Sequence, residues 1–390
     1  MLIFHQAGHN TIWNLDSFQN GIGDGIIISP VHYDIDNVNG LKNEIKKKSY
    51  FDPQFYVPDS QKKKLNTYHF FPEQMTDGFS TSDFVAVAYE AAQQCIEFQI
   101  ENGFKGLFVP ARYHGEMITD FIEKQRAFSV EPFLSFIQKN RITKEVFITL
   151  PLTAAMIGDR AYREQLLNWA TSYPEITGVY LLINFNEPLK QICDIKKLTD
   201  YLDFIYELTE ADLKVICGYC NTEALLCAIS APFAVTIGAY ENTRRFSIDK
   251  FLDDESEVRG PAPRIYFPKL LNWIRFDITE EIKNDFPVLW ERIYTPTDWS
   301  ESVFTRAVRP HFTQADLYHH HFQLIHGQLR EIASKKSVAD RAKLVQGWVV
   351  EANELYGQLQ QNGVLFFDNN CKGEHLPIWN RIIRKAMQQK

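Results

Sequence analysis

The sequence predicts an α/β protein, a TIM-like (β/α)8 barrel with a helical C-terminal extension. Short apolar segments alternate with segments of helical periodicity over the first two thirds of the chain, which is typical of parallel strands buried on both faces. Seven or eight such units fit the roughly 250 residues that this barrel usually needs. Polar loops follow almost every apolar segment, and in a barrel these loops share one face. A doubly wound open sheet is the alternative.

Seven segments are predicted to be strands. They are residues 25–30, 49–56, 106–110, 146–150, 178–184, 213–218 and 234–238. Helices are expected between most of them, at residues 82–102, 116–137, 160–173 and 194–212. We assign residues 1–265 to the barrel and residues 266–390 to a helical C-terminal region. In that region we expect helices at 280–293, 313–334 and 337–362, with a linker around Pro296.

Composition excludes several classes of protein. Of the 390 residues, 45% are hydrophobic and 23% are charged, as in an ordinary folded protein. The net charge of −8 excludes a strongly basic coat for nucleic acid, although it allows a local basic patch. Six cysteines are too few for a disulfide scaffold. Since no long apolar run and no signal-peptide pattern are present, we expect a cytoplasmic protein with no membrane contact.

The segment from residue 214 to residue 246 carries the densest set of polar side chains. The residues that follow its two strands are Tyr219, Asn221, Glu223, Tyr240, Glu241, Asn242, Arg244 and Arg245. A carboxylate, an amide and two guanidinium groups leaving one strand end indicate a general acid/base with substrate-binding partners. Glu241 is the candidate acid/base. A salt-bridged loop that closes the barrel is the alternative.

Other strand ends supply further candidates. Asp52 follows an apolar strand and is a candidate base or nucleophile, unless it only stabilises an Asp-Pro turn. Arg112 and Tyr113 suit phosphate binding or stacking on a base, with a structural ion pair as the alternative for Arg112. Asn184 and His32 are further candidates for ligand contact, or else part of a polar barrel rim.

The signals for metals and cofactors are weak. Cys217, Cys220 and Cys227 lack a second Cys-x2-Cys pair, so zinc is only a lesser alternative there. Residues 319–321 are consecutive histidines that point in different directions on a helix, so a solvated or interface face is favoured over a metal site. The glycine-rich nucleotide motifs and the Gly-x-Ser-x-Gly and His-Glu-x-x-His motifs are absent, and we therefore predict no metal and no cofactor.

Residues 214–246 resemble the last two barrel units of the tRNA-guanine transglycosylase (queuine tRNA-ribosyltransferase) superfamily. The resemblance rests on Gly218, the pair Thr222-Glu223, Ala228 and the loop Glu241-Asn242-Thr243-Arg244, which corresponds to a loop ending in Pro-Thr-Arg. Residues 29–30 and 51–55 are compatible with the N-terminal units, so the similarity covers about residues 20–265. The sequence departs from the family at three places. The family's nucleophilic Asp corresponds to Gly238 or a position close to it, and its Asp-Ser-Gly-Gly-Phe-Gln motif is reduced to Asp52-Pro53-Gln54-Phe55. The zinc subdomain of the family is missing.

The resemblance implies a divergent relative that binds guanine or a 7-deazaguanine base and acts on a glycosidic bond. Such relatives modify DNA with 7-deazaguanines or occur beside QueC-like proteins in CBASS-type antiphage operons. Asp52 and Glu241 would be the catalytic carboxylates, and Tyr113 and Tyr240 would hold the flat base. A basic rim for RNA, DNA or a nucleotide would be formed by Arg112, Arg244 and Arg245. Gln54 completes the set of residues expected to contact substrate.

Two alternatives stay open at this point. One is a catalytically inactive scaffold that binds a nucleobase or nucleic acid, with a protein partner bound through the C-terminal helices. The other is an unrelated barrel glycoside hydrolase that uses paired carboxylates. Whether the chain is an active pentosyltransferase is left open.

Overall fold

A computed structural model of the chain describes residues 1–76, 81–252 and 260–388. Eight parallel strands form one sheet in the order β3-β2-β1-β8-β7-β6-β5-β4. The strands are β1 (Leu2–Gln6), β2 (Gly25–Ile28), β3 (Tyr50–Phe51), β4 (Leu107–Val109), β5 (Val146–Thr153), β6 (Gly178–Asn184), β7 (Lys214–Cys217) and β8 (Ala234–Gly238). β1 pairs with both β2 and β8, so the sheet curls round on itself as a TIM-like (β/α)8 barrel. The predicted fold class is confirmed.

The barrel is nearly closed between β3 and β4. The backbone N–H of Lys105 donates to the carbonyl of Ser49 at 2.9 Å, just ahead of the two strands. The rings of Tyr50 and Phe108, one from each strand, stack with centroids 4.8 Å apart. β3 is short because Pro53 has no N–H to donate, so the predicted strand over residues 49–56 ends early.

Aromatic side chains fill the lower part of the barrel. Contacts that skip a strand of the sheet must cross the lumen, and Phe4 on β1 meets Tyr50 on β3 with ring centroids 5.4 Å apart. Phe108 on β4 stacks on Tyr180 on β6 at 4.8 Å, and the Tyr180 hydroxyl donates to Gln6 Oε1 at 3.0 Å. Each aromatic pair contributes about 0.5–1.5 kcal/mol beyond its buried area. Because this layer is packed, a ligand can enter only at the carboxyl ends of the strands.

Helices cover the outside of the barrel. Those of the barrel region are α1 (Thr11–Gln19), α2 (Ile35–Asn39), α3 (Asn43–Lys46), α4 (Pro72–Met75), α5 (Thr81–Glu101), α6 (Phe121–Gln125), α7 (Glu131–Lys139), α8 (Ala154–Gly158), α9 (Arg160–Ala170), α10 (Ile195–Glu210), α11 (Ala224–Cys227) and α12 (Glu241–Arg244). Within the described ranges, the structure contains no helix long and apolar enough to cross a membrane.

The C-terminal region packs on the barrel. Its helices are α13 (Phe276–Asp285), α14 (Pro287–Ile293), α15 (Asp298–Thr305), α16 (Ala315–Ala333), α17 (Val338–Gln361) and α18 (His375–Gln388), and they follow a hairpin of β9 (Arg264–Phe267) and β10 (Asn272–Arg275). α16 lies against β1 and α1: Phe322 packs edge-on to His5 at 4.7 Å, and Arg330 pairs with Asp24 at 2.6 Å. α16 therefore fills the place of the barrel's eighth helix.

Several sequence predictions differ from this structure in detail. The sequence analysis predicted neither β1 nor the hairpin of β9 and β10. The hairpin begins at Arg264, just before the predicted domain boundary at residue 265. The extent of each domain stays a prediction. The helix predicted at 280–293 is two helices, since Pro287 interrupts the backbone hydrogen bonds. The predicted linker near Pro296 leads directly into α15, where Thr297 caps the helix through the N–H of Ser300.

Candidate functional site

Side chains that follow five strands, β2, β3, β6, β7 and β8, meet at the mouth of the barrel in two groups. We call the first the lumen cluster: Ser29, Asp52, Gln54, Tyr56, Tyr219 and Lys250. We call the second the rim cluster: Lys190, Asn221, Glu223, Glu241, Arg244 and Arg245. The lumen cluster closes the top of the barrel interior, and the rim cluster lies above β6, β7 and β8.

Asp52 is fully buried at the centre of the lumen cluster. The Tyr56 hydroxyl lies 2.9 Å from both carboxylate oxygens and donates to them. Burial raises the pKa of Asp52 to about 7, against the opposing effects of the Tyr56 hydrogen bond and the charge of Lys250. A carboxyl group that titrates near neutral pH can both accept and release a proton, which is what acid/base catalysis needs.

Gln54 holds the ends of β2 and β3 together. Its Oε1 accepts from the backbone N–H of Val31 at 3.0 Å, and its Nε2 donates to Ser29 Oγ at 2.7 Å. The backbone of Gln54 adopts a left-handed φ of 58°, which places its N–H 3.2 Å from Asp52 Oδ1. Because the side chain is fully buried and hydrogen-bonded, Gln54 positions Asp52 and leaves little capacity for a ligand.

Lys250 is a member of the site that the sequence analysis missed. Its ammonium group lies 3.6 Å from the centroid of the Tyr219 ring, a close cation–π contact. Desolvation lowers the pKa of Lys250 to about 7, while the carboxylate of Asp52 raises it. The only signal in the sequence was a single lysine beside Phe251 in the loop after β8.

Phe246 covers the lumen cluster. Its ring meets those of Tyr56, Tyr113 and Tyr219 with centroids 5.3 to 5.7 Å apart. The Tyr113 hydroxyl also accepts from Asn184 Nδ2 at 2.8 Å, which joins the ends of β4 and β6. This aromatic layer separates Asp52 from the space above it.

The rim cluster contains buried polar atoms that have no partner. Glu223 accepts the backbone N–H of Asn221 at 2.8 Å through Oε1, and Asn221 Nδ2 donates to the carbonyl of Lys190 at 3.1 Å. Glu223 Oε2 and Asn221 Oδ1 are buried and make no hydrogen bond to the described part of the chain. Burial raises the pKa of Glu223 to about 7.

Arg244 supplies donors to the same place. Its guanidinium stacks on the Trp273 ring at 3.8 Å, and the residue is only 8% exposed. Burial lowers the pKa of Arg244 to about 10. Its Nε and Nη1 donate to no atom in residues 1–76, 81–252 or 260–388.

Two narrow cavities of about 10 and 20 Å³ adjoin these atoms. Lys190, Arg244 and Arg245 line both, Asn221 and Trp273 line the first, and Tyr219, Glu223 and Phe246 line the second. We call the pair the rim cavity. A buried polar atom without a partner costs roughly 1–3 kcal/mol, so two acceptors and two donors around one cavity favour an occupant that satisfies them.

The remaining rim residues have partners. Glu241 forms an ion pair with Lys190, and its side chain is 43% exposed. Arg245 donates to the backbone carbonyls of Glu187 and Leu189. Asn242 is exposed and contributes its carbonyl, 3.5 Å from Lys250 Nζ. Glu241 thus lies outside the lumen where Asp52 is buried, and the two predicted catalytic carboxylates have separate surroundings.

Three further predicted residues lie elsewhere on the mouth. Tyr240 contacts Trp13 and Tyr318, and its hydroxyl accepts from Asn10 Nδ2 at 2.6 Å. It therefore does not form a clamp with Tyr113, whose partners are different. The backbone of Arg112 makes two hydrogen bonds with the Gln125 side chain. His32 lies after β2, beside His9.

Gly238 explains why no catalytic side chain can stand at the end of β8. A Cβ atom there would lie 2.3 Å from the carbonyl oxygen of Thr243, because α12 folds directly over the strand end. The space that a nucleophilic Asp would use is occupied by the backbone that carries Arg244.

No group of three His, Cys, Asp or Glu side chains suited to a metal occurs in the described ranges. Residues 319–321 are buried, so of the two expected alternatives, a solvated or an interface face, the solvated one is wrong. His319 contacts Ser17, whereas His320 bonds to Thr297 and to the carbonyl of Tyr266. Arg264, at the start of β9, forms an ion pair with Asp368.

Comparisons with known proteins add little to this picture. No protein-family model matches the chain, and no curated protein matches it. Among solved structures, the chain matches the crystal structure of dihydrodipicolinate synthase from Oceanobacillus iheyensis with 9% identity over 82% of each chain and a TM-score of 0.25. The assignment to a TIM-like barrel rests on the strand order of the chain itself.

Proposed function

We propose that the rim cavity widens, as Tyr219 and Phe246 move aside, to bind a guanine-type base, guanine or a 7-deazaguanine, and that the protein acts on a glycosidic bond of that base. The binding part is carried by the unpartnered atoms of Glu223, Asn221 and Arg244. Guanine offers N–H donors along one edge and the acceptors O6 and N7 along another. The unpartnered oxygens of Glu223 and Asn221 need donors, and the two N–H groups of Arg244 need acceptors. Guanine supplies both, the donors along one edge and the acceptors along the other.

The glycosidic step is supported by two buried carboxyl groups at the same end of the barrel. Asp52 and Glu223 both have a pKa raised to about 7 by burial. Glycosidic bonds are cleaved by such a pair, one group acting as acid and the other as base or nucleophile. In this proposal Glu223 has the catalytic role that was predicted for Glu241, whereas Glu241 forms an ion pair with Lys190.

The two groups share one wall. Tyr219 lines the rim cavity and accepts from Gln54 Nε2 at 3.4 Å, on the side where Gln54 contacts Asp52. In the proposed reaction Tyr219 and Phe246 move aside when the ligand binds, and Asp52 then reaches the sugar. The resemblance to the tRNA-guanine transglycosylase superfamily, the RNA, DNA or nucleotide acceptor and a role in antiphage defence belong to this proposal.

Calorimetric titration tests the binding part. We expect guanine to bind more tightly than adenine, which lacks the adjacent N1–H and N2–H donors and the O6 acceptor of guanine. Glu223→Gln and Arg244→Met each remove a charge-assisted hydrogen bond of about 1.5–3 kcal/mol, so each should weaken guanine binding about 10- to 100-fold. Glu210→Gln and Arg384→Met, two exposed residues away from the mouth, are the matched controls. Equal affinity for guanine and adenine, or unchanged affinity in both mouth variants, contradicts the proposal.

A base-binding scaffold without catalysis is the second candidate, favoured by Gly238 and by the buried position of Asp52. Exchange of labelled guanine into RNA, DNA or nucleotide substrates separates the two. Binding with exchange supports the enzyme, and binding without exchange supports the scaffold. A glycoside hydrolase based on Asp52 and Glu241 is disfavoured, since these carboxylates do not face one space.

A further inference from the structure

We propose that the C-terminal region forms one wall of the rim cavity, where the indole N–H of Trp273 donates to N7 of a bound guanine. This inference rests on the proposed function and narrows its ligand to guanine over 7-deazaguanine, which has a C–H in place of N7. Trp273 is on β10 and lines the first cavity beside Asn221 and Arg244. Tyr219 and Phe246, which move aside in the proposed reaction, line the second cavity and not the first, so the wall with Trp273 is not the part that opens.

Trp273 offers a hydrogen-bond donor that the protein itself does not use. The residue is only 4% exposed, and its Nε1 has no hydrogen-bond partner in the described part of the chain. The ring of His321 is close, with centroids 4.5 Å apart, but the two side chains form no hydrogen bond, since His321 Nδ1 is also without a partner there. Because an indole N–H can only donate, Trp273 needs an acceptor, and its place on the cavity wall allows a ligand to supply one.

Hydrogen bonds between the C-terminal region and the loop after β6 fix this wall to the barrel. Asn272 is buried, and its Oδ1 accepts the backbone N–H of Trp273 at 2.8 Å and Gln191 Nε2 at 3.1 Å. Asn370 Oδ1 accepts the backbone N–H of Lys190 at 2.9 Å. The indole of Trp273 is therefore held beside the cavity before any ligand binds.

The order of the polar side chains around the rim cavity matches the order of the polar atoms around guanine. Glu223 lines the second cavity, Trp273 lines the first, and Arg244 lines both. In guanine the N2–H and N1–H donors are followed by the acceptor O6 and then by the acceptor N7. With the guanine donors on Glu223 and O6 on Arg244, N7 falls on the side of Trp273. 7-Deazaguanine would leave the Trp273 N–H buried without an acceptor, which weakens binding.

Calorimetric titration of the full-length protein with guanine and with 7-deazaguanine tests this role of Trp273. We expect the wild type to bind guanine about tenfold more tightly, which is the effect of one buried hydrogen bond. Trp273→Phe keeps an aromatic ring beside Arg244 but removes the N–H, so this variant should bind the two bases with equal affinity. Trp169→Phe is the matched control, because Trp169 on α9 also has a buried Nε1 without a partner in the described ranges, and this variant should keep the preference for guanine.

The ratio of the two affinities is measured within one protein, so it does not depend on how much of a destabilised variant is folded. The NMR signal of the Trp273 indole N–H gives a second readout: guanine should shift it downfield, as a new hydrogen bond does, and 7-deazaguanine should not. If the wild type binds both bases equally, or if Trp273→Phe keeps the preference for guanine, this role of Trp273 is overturned while base binding stands. If neither base binds to the wild type, the proposed function fails and this inference fails with it.

Discussion

Replacement of Asp52 by asparagine should change how the stability of the protein depends on pH. Burial raises the pKa of Asp52 from 3.8 to about 7. Between these values the folded protein keeps a proton that the unfolded chain has lost, so the stability of the wild type falls as pH rises. Each pKa unit corresponds to about 1.4 kcal/mol. On going from pH 5 to pH 8, the wild type loses stability over the two pH units between pH 5 and the Asp52 pKa of about 7. The free energy of unfolding of the wild type should therefore fall by about 3 kcal/mol relative to that of Asp52→Asn.

Urea unfolding of both proteins at pH 5 and pH 8 measures this difference. Titrating groups that do not interact with Asp52 contribute equally to the two proteins and cancel. Lys250 does not, because the Asp52 carboxylate raises its pKa, so both proteins carry Lys250→Met in this comparison. Asp59→Asn is the matched control, because Asp59 is exposed, and its stability relative to the wild type should not change with pH. If the free energies of unfolding of wild type and Asp52→Asn change in parallel between the two pH values, the carboxyl group of Asp52 does not have the raised pKa that the account requires.

Three further substitutions test the architecture of the mouth and of the C-terminal region. Gly238→Ala should destabilise the fold by roughly 1–3 kcal/mol and reduce guanine binding, because the added Cβ atom displaces α12. Gly327→Ala is the control, since Gly327 has open space around it. Urea unfolding measures the stability of each variant, and calorimetry measures its guanine binding. Gln54→Leu leaves the N–H of Val31 without its partner and should cost about 1–3 kcal/mol, seen as a lower melting temperature. Phe322→Ala should cost about 3–5 kcal/mol and keep a single unfolding transition, whereas two transitions would show that α16 unfolds separately from the barrel.

The alternation of apolar and helical segments was enough to predict the barrel, but not its first strand. Residues 2–6 include His5 and Gln6, two polar residues that do not mark a buried strand. In the structure His5 packs against Phe322 on the outside, and Gln6 accepts from Tyr180 inside the lumen. Both partners are far away in sequence, so the strand is specified by contacts that no local pattern contains.

The site was predictable in its location and less so in its assignments. Glu223 and Arg244 were found because polar residues follow β7 and β8, and such loops share one face of a barrel. Glu241 was chosen over Glu223 as the catalytic carboxylate, yet the turn of α12 directs Glu241 to Lys190. Lys250 was missed because its importance comes from Asp52 and Tyr219, which reach it only after the barrel has closed.

A crystal structure of the protein with a bound 7-deazaguanine tests the central claim most directly. We expect the base in the rim cavity. Its N–H groups should lie within about 3.2 Å of Glu223 Oε2, and one of its acceptors should lie at a similar distance from the Arg244 guanidinium. A base bound away from these two side chains, or a rim cavity that holds only water at saturating base, would contradict it.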